Sequence, residues 1–155
     1  MDKYRYKYSI QNKGQKEMNK LIETLRRHEG VKNTLYKCTS DKWTIGVGRN
    51  LEDVGLSDAE IDYLLENDIV RTEELLDEYM SWWRELDEVR QEALVNFVFN
   101  VGIGTAMKFK KAMAALEKWD YDTAADEMMD SNWSNQVGQR AVEVTEMIRT
   151  GQYQD

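Results

Sequence analysis

The 155-residue chain contains no proline and only one cysteine, and it lacks any apolar run long enough to cross a membrane. A spanning helix needs about 20 mostly apolar residues, so we expect no membrane insertion. The single cysteine, Cys38, excludes an intramolecular disulfide, and we expect stability to come from packing, as in a reducing compartment. Low-complexity linkers and internal repeats are also missing, which favours one domain over residues 1–155.

The first residues, MDKYRYKYSIQNKGQ, lack the apolar middle of a secretory signal. If the protein meets an extracellular substrate, we expect another component to release it from the cell.

Acidic residues predominate, giving a net charge of -8, but the two signs are unevenly distributed. Residues 1–50 hold twelve Lys/Arg against five Asp/Glu, whereas residues 51–155 hold nine against twenty-four. The bland interpretation is a solvated acidic surface around a more basic N-terminal part. The functional interpretation is a basic end that faces an anionic polymer. Basic and aromatic residues interleave only near residues 3–7, so we expect no nucleic-acid partner.

In the N-terminal third of the sequence, the residue pattern changes at Gly30 from one typical of a helix to one typical of short strands. Tyrosines alternate with basic residues in 1–13, which suits an edge strand, an arm or a disordered terminus. In 15–28 the apolar spacing predicts a helix that Gly30 ends, with one stripe formed by Met18, Leu21, Ile22 and Leu25. From Gly30 to Gly48, β-branched and aromatic residues with glycines predict two short strands and tight turns. Gly46 and Gly48 indicate turning or a close backbone approach.

The rest of the sequence predicts helices. Ser57 and Glu60 form a capping box for a long connecting helix over residues 57–80, and Asp87 can cap the most apolar segment, which ends at Gly102 and Gly104. Further helices are predicted over 105–119, about 122–129 and 137–150. We therefore expect a mostly helical α+β fold. Residues 1–13 would be an extension, 14–56 a lobe with a small antiparallel sheet, and 81–155 a helical lobe.

Three reactive side chains surround the helix-to-strand junction with the spacing Glu29-x8-Cys38-x5-Thr44. A carboxyl group at a helix end can donate a proton to a leaving oxygen, and a polar group across a cleft can hold an attacking water. Each residue alone has an ordinary interpretation: an exposed glutamate, a small buried hydrophobe and a strand threonine. Only their combination indicates a site.

The segment HEGVKNTLYKCTSDKWTIGVGRNL around these residues resembles the catalytic segment of the phage-type (V-type) lysozyme and endolysin family, in the Cys form of its Glu-x8-Asp/Cys-x5-Thr signature. The resemblance continues in order through LSDAEIDYLLENDI (56–69), RQEALVNFVFNVG (90–102) and DSNWSNQVGQRAVEVTEMIRTG (130–151). It covers most of the chain from about Lys16 onward and implies a two-lobe fold with a cleft that binds peptidoglycan.

The resemblance implies hydrolysis of the β-1,4 bond between N-acetylmuramic acid and N-acetylglucosamine. Glu29 would be the general acid, and Cys38 and Thr44 would position the attacking water. Phe99 and Asn50 would contact substrate, and Arg140 would lie near the catalytic glutamate. Arg49 and Asp68 would form an ion pair between elements. Ala112 and Glu127 replace a Ser and an Asn of relatives, so sugar contacts there would differ.

Several alternatives stay open. Cys38 could hold water or act as base in an inverting reaction, or its thiolate could be a nucleophile. The chain could instead be a lytic transglycosylase, or an inactive wall-binding or phage structural protein. We expect a monomer that needs neither cofactor nor metal and whose partner is the glycan strand. It would accumulate in the host cytoplasm until a holin-type pore releases it to the periplasm and cell wall.

Overall fold

The structure, a computed structural model, describes residues 15–154, so the predicted N-terminal extension lies outside the described residues. The chain divides into two compact units, one ending at Asp58 and the other beginning at Ala59. The predicted mostly helical α+β class with one small antiparallel sheet is confirmed. The finer division into a connecting helix and a helical lobe stays a prediction.

The N-terminal unit consists of one helix and a three-stranded sheet. Helix α1 covers Gln15–Glu29, and the strands are β1 (Lys32–Lys37), β2 (Trp43–Gly46) and β3 (Arg49–Asn50). The strands pair antiparallel in the order β1-β2-β3, one strand more than the two predicted. Gly30 ends α1 as predicted: its φ is +76°, and its N–H donates to the Arg26 carbonyl at 2.9 Å.

The strand register divides the sheet into two faces. Tyr36 lies opposite Thr44, and Thr44 lies opposite Asn50. Side chains alternate along a strand, so these three share one face. Lys37 and Trp43 pair on the other face, where the Lys37 Nζ lies 4.2 Å from the Trp43 ring centroid. The face that carries Thr44 is called the reaction face below.

The C-terminal unit is a helical assembly. Helix α2 covers Asp58–Tyr79, a 3-10 turn covers Ser81–Glu85, and α3 covers Glu88–Val101. The remaining helices are α4 (Ile103–Lys108), α5 (Lys110–Glu117), α6 (Tyr121–Met129), α7 (Asn132–Val137) and α8 (Gln139–Thr150). Asp87 caps α3 as predicted, since its carboxylate accepts the Arg90 N–H at 3.2 Å.

Two helix predictions are wrong in detail. The helix predicted over 105–119 is broken at Phe109, whose ψ of 58° is not helical, and Gly104 lies inside α4 instead of ending a helix. Phe109 packs edge-on against Phe97, with ring centroids 5.0 Å apart, so core packing accompanies the break. The final helix begins at Gln139, and Trp133 belongs to a separate helix that ends before Gly138.

The apolar core lies in the C-terminal unit. Its centre includes Phe97, which is fully buried between Phe109 and Trp133. Trp83 is also buried, and its indole N–H donates to the Asp77 carboxylate at 2.7 Å. In the described part of the chain, none of the helices combines the length and apolar character that crossing a membrane requires.

Candidate active site

Glu29 is the last residue of α1, and its side chain is exposed beside the turn that joins β2 and β3. A Cβ built at Gly48 in that turn would lie 3.2 Å from the Glu29 Oε2. The Gly48 φ of +77° is also a conformation that side chains disfavour. The turn and the close approach suggested by the sequence therefore both occur at Gly48, and a larger residue would crowd the carboxylate. Within the described part of the N-terminal unit, no hydrogen bond or ion pair engages the Glu29 side chain.

Cys38 follows β1 directly and begins the tight turn that leads into β2. The Cys38 N–H donates to the Lys42 carbonyl at 3.0 Å, and the Asp41 N–H donates to the Cys38 carbonyl at 2.9 Å. Asp41 completes the turn with a φ of 58°, which Asp tolerates better than most residues. The Cys38 side chain is half-buried, so the interpretation as a fully buried hydrophobe does not hold.

The turn surrounds the Cys38 sulfur with hydrogen-bond donors. The backbone N–H of Lys42, followed by that of Ser40, lowers the pKa of the Cys38 thiol. Partial burial opposes this effect, and a hydrogen bond with the Thr44 side chain adds to the lowering. Donors that face the sulfur favour the thiolate over the thiol, and the thiolate is the form that accepts a proton.

Thr44 is 2% exposed, and it is the only buried side chain among those described in the N-terminal unit. Its hydroxyl donates to the Lys42 carbonyl at 2.9 Å and is also within hydrogen-bonding reach of Cys38. A hydroxyl carries one proton but two acceptor lone pairs. It can therefore accept from the Cys38 thiol while bonded to Lys42, or turn its proton towards a thiolate. The predicted Cys38 and Thr44 side chains are thus close to each other, and the Thr44 hydroxyl helps to lower the pKa of the thiol.

The Glu29 carboxyl group and the Cys38–Thr44 pair lie beside different positions along the strand direction of the sheet. Ile45 pairs with Arg49, which places Gly48 level with Gly46, and Thr44 lies two residues further along β2. Two strand residues correspond to roughly 7 Å. Inverting glycosidases separate their two groups by about 6.5–9.5 Å to admit a water. The backbone offset between Gly48 and Thr44 is of the same order.

Asn50 faces Thr44 across the β2–β3 pair, but its amide is engaged locally. Its Nδ2 donates to Asp53 at 2.9 Å, and its Oδ1 accepts the Asp53 N–H at 3.0 Å. These bonds shape the loop after β3, and substrate contact by Asn50 stays a prediction. Arg49 donates to the Gly55 carbonyl at 3.1 Å, and Asp68 accepts from Arg71 at 2.6 Å. The predicted Arg49–Asp68 ion pair likewise stays a prediction.

Arg140 and Phe99 line one cavity of the C-terminal unit, of about 450 Å³. Arg140 donates to the side-chain oxygen of Asn96 at 3.0 Å and to the Asn96 carbonyl at 3.1 Å. Phe99 is 42% exposed, so it is not a core residue. Leu65, Ile69, Glu73, Glu92 and Val95 complete the lining. The roles of Arg140 beside the glutamate and of Phe99 in the cleft stay predictions.

Ala112 and Glu127, where the sequence resemblance predicted altered sugar contacts, both line a second cavity of the C-terminal unit, of about 380 Å³. Ala112 is buried, and Glu127 contributes a carboxylate to the lining. Lys108, Lys110 and Lys111 lie at the same cavity. Charged side chains of both signs therefore line this cavity.

Sequence reasoning missed two residues of the N-terminal site. The Lys42 carbonyl joins the Cys38 N–H and the Thr44 hydroxyl, and a backbone oxygen leaves no signal in the sequence. Tyr36 lies on the same face of the sheet as Thr44. Because side chains alternate along a strand, its position two residues before Cys38 could have predicted that it lies on the same side as Cys38. Among the described residues, no three His, Cys, Asp or Glu side chains are grouped as metal ligands would be.

Comparison with known proteins places this geometry in a family. A family model described as phage lysozyme matches residues 26–148, which include Glu29, Cys38 and Thr44. A probable T4-type lysozyme of Dictyostelium discoideum is 26% identical over 163 residues, covering 86% of this chain and 96% of that protein. An endolysin of Acyrthosiphon pisum secondary endosymbiont phage 1 is 29% identical over 114 residues, covering 71% and 74%.

A third relative is named as a phage spike protein. The pre-baseplate central spike protein of Enterobacteria phage T4 is 27% identical over 159 residues, covering 84% of this chain but 28% of that protein. The family model spans most of the chain and contains the whole Glu-Cys-Thr constellation. The chain belongs to the phage lysozyme family.

Proposed function

We propose that this protein is a muramidase that hydrolyses the β-1,4 bond between N-acetylmuramic acid and N-acetylglucosamine in bacterial peptidoglycan. Family membership supports the coarser statement, a peptidoglycan-lysing enzyme of the glycosidase type. The observation that supports the more specific proposal, muramidase activity, is the arrangement of side chains within the N-terminal unit. An exposed carboxyl group stands beside Gly48, and a thiol–hydroxyl pair lies at another level of the same sheet.

The proposed reaction inverts the anomeric carbon. Glu29 protonates the glycosidic oxygen as the carbon–oxygen bond breaks, and a water attacks the opposite face of the sugar. Thr44 orients that water but cannot serve as its base, because a hydroxyl is too weakly basic near neutral pH. Cys38 in its thiolate form accepts the water proton, and the lowered pKa of the thiol increases the thiolate fraction.

The first experiment measures turbidity loss of purified peptidoglycan by wild type and Glu29→Gln. General acid catalysis contributes about 100- to 10,000-fold, so we expect a loss of that size with an unchanged unfolding temperature. Glu23→Gln is the matched control, because Glu23 is an exposed carboxylate on the same helix. Lysis by Glu29→Gln at the wild-type rate would contradict the proposal. Complete loss with folding intact would exclude an inactive wall-binding protein.

Mass spectrometry of the products separates hydrolysis from lytic transglycosylation. A transglycosylase forms an anhydro sugar without water, so its products are lighter by about 18 mass units per cut. We expect the heavier, hydrated ends.

Cys38 is tested by substitution and by stereochemistry. We expect Cys38→Ala to lose most activity and Cys38→Asp to keep much of it, because a carboxylate is a competent base at neutral pH. NMR of the first products should show inversion. Net retention would instead make the thiolate a nucleophile and remove the water-holding role.

We propose the biological setting of an endolysin, a monomer that accumulates in the host cytoplasm and reaches the wall through a holin-type pore. The similarity to a spike protein supports a second setting, a lysozyme unit carried on the virion. Detection of the protein in infected cells and in purified virions distinguishes the two. An endolysin is present in the cells and missing from the particles.

A further inference from the structure

We propose that Tyr36 is a specificity-determining residue of this site, whose hydroxyl donates a hydrogen bond to an oxygen of the bound sugar. The inference rests on the proposed function and adds a substrate contact to it. Tyr36 is outside the Glu-Cys-Thr signature and outside the substrate contacts that the sequence suggested.

The position of Tyr36 follows from the strand register. It is the direct partner of Thr44 in the β1–β2 pair, and such partners have Cβ atoms about 4.5–5.5 Å apart. Two residues later along the chain, Cys38 follows the end of β1, so strand alternation directs it towards the face that carries Tyr36. Tyr36 therefore neighbours both members of the pair that holds the water.

The environment of Tyr36 suits a ligand contact. Tyr36 is the only half-buried side chain of β1, and the other five residues of that strand are exposed. Within the described part of the N-terminal unit, its hydroxyl forms no hydrogen bond and its ring stacks on no aromatic or cationic group. A partly buried tyrosine hydroxyl usually finds a partner, and a substrate oxygen would supply one.

The opposite face of the same strand pair offers a contrast. Trp43 is the aromatic residue there, and its ring already faces the Lys37 ammonium. The backbone N–H of Trp43 donates to the Glu52 carboxylate at 2.9 Å, and that carboxylate lies 3.5 Å from the Lys37 Nζ. The Trp43 ring is therefore already covered by a protein group, the Lys37 ammonium, whereas the Tyr36 ring on the reaction face has no such neighbour within the described part of the N-terminal unit.

The chemistry of tyrosine fits a pyranose. The phenolic O–H can donate to a sugar hydroxyl or acetamido oxygen, and the apolar ring can cover the C–H groups of the sugar. Such a contact lies next to the reacting carbon when the water rests on Thr44. It would fix the sugar relative to the attacking water without entering the bond changes.

The test compares Tyr36→Phe and Tyr36→Ala on soluble peptidoglycan fragments. Loss of one neutral hydrogen bond predicts a fall in kcat/KM of about five- to tenfold for Tyr36→Phe. Removal of the ring as well predicts a fall of about 100-fold for Tyr36→Ala. Tyr79→Phe, which loses the same hydroxyl from an exposed tyrosine of α2, and Trp43→Phe on the opposite face should stay within about twofold.

A merely structural Tyr36 would give another pattern. The unfolding temperature of Tyr36→Phe should match wild type, and the kinetic loss should persist at low temperature. A kcat/KM of Tyr36→Phe within twofold of wild type would overturn the proposal, as would a loss that disappears when the variant is fully folded. Glu29→Gln assayed alongside separates the two proposals. If Glu29→Gln is inactive and Tyr36→Phe is normal, only this inference fails.

Discussion

The two compact units are stabilised by different means. The C-terminal unit holds a core of twenty buried apolar side chains, whereas Thr44 is the buried residue of the described N-terminal unit. In the N-terminal unit, backbone pairing, tight turns and exposed ion pairs such as Lys42–Asp53 fix the geometry. The candidate catalytic residues thus lie where side-chain packing is weakest. Substitutions should therefore affect stability mainly in one unit and activity mainly in the other.

The largest expected effect is on the core. Phe97→Ala removes a fully buried ring that packs on Phe109 and Trp133, and it should lower the free energy of unfolding by about 3–5 kcal/mol. Leu35→Ala on the exposed strand β1 is the contrasting change and should cost about 0.5 kcal/mol or less. Urea unfolding measures both. Similar costs for the two variants would remove the contrast between the units.

The next effect is on the carboxylate. Gly48→Ala would place a methyl group against the Glu29 Oε2, and we expect kcat/KM to fall about 100-fold, because small displacements of a catalytic group are costly. Gly55→Ala is the matched control. Its φ of +68° imposes a similar backbone strain, about 1 kcal/mol, but open space surrounds its Cβ position. Comparable stability losses with activity lost only at Gly48 would support the site; equal activities would not.

A smaller effect concerns the pH dependence of catalysis. The Thr44 hydroxyl contributes to lowering the pKa of the Cys38 thiol, so Thr44→Val should raise that pKa. Activity that depends on the thiolate rises as the pH passes through this pKa, and the rise should occur at higher pH in the variant. The acid limb of kcat against pH and the ultraviolet absorbance of the thiolate should move together.

Thr39→Val, an exposed neighbour in the same turn, should leave the acid limb in place. An acid limb in Thr44→Val that coincides with that of wild type would contradict the role of Cys38 as base.

The smallest effect is on acid stability in the C-terminal unit. Hydrogen bonds from Arg84 and then from Trp83 lower the pKa of Asp77, outweighing its desolvation. A carboxyl group with a lowered folded-state pKa stabilises the protein above its unfolded value, about 3.9, and loses that contribution as the pH falls through the folded value. The stability difference between wild type and Asp77→Asn should therefore shrink below about pH 4.

Tryptophan fluorescence during urea unfolding at several pH values measures this difference. Glu74→Gln, at an exposed carboxylate of α2, is the control variant measured alongside.

Local signals in the sequence predicted much of this structure. The cap at Gly30, the cap at Asp87 and the length of α2 each depend on residues within a few positions of one another. The spacing of Glu29, Cys38 and Thr44 predicted the candidate site, and the structure adds that the Thr44 hydroxyl helps to lower the pKa of the Cys38 thiol. The break at Phe109 was missed because it accompanies a contact with Phe97, twelve positions earlier.

Long-range backbone geometry was the other part that the sequence did not reveal. Strand β3 has two residues, too few for a period-two pattern to appear. Gly48 was identified as a site of close approach, but its neighbour Glu29 lies nineteen positions away. The importance of Tyr36 depends on the register of β1 against β2, which a one-residue slip would reverse.

The main-chain N–H groups of Lys42 and Ser40 are the two largest causes that lower the pKa of the Cys38 thiol. Every residue except proline carries such a group, so the side chains at 40 and 42 are free to vary while the donors persist. An aspartate carboxylate at position 38 would face the same donors, so this turn can accommodate either Cys or Asp. The part of the site least visible in the sequence is therefore also the part that mutation can hardly remove.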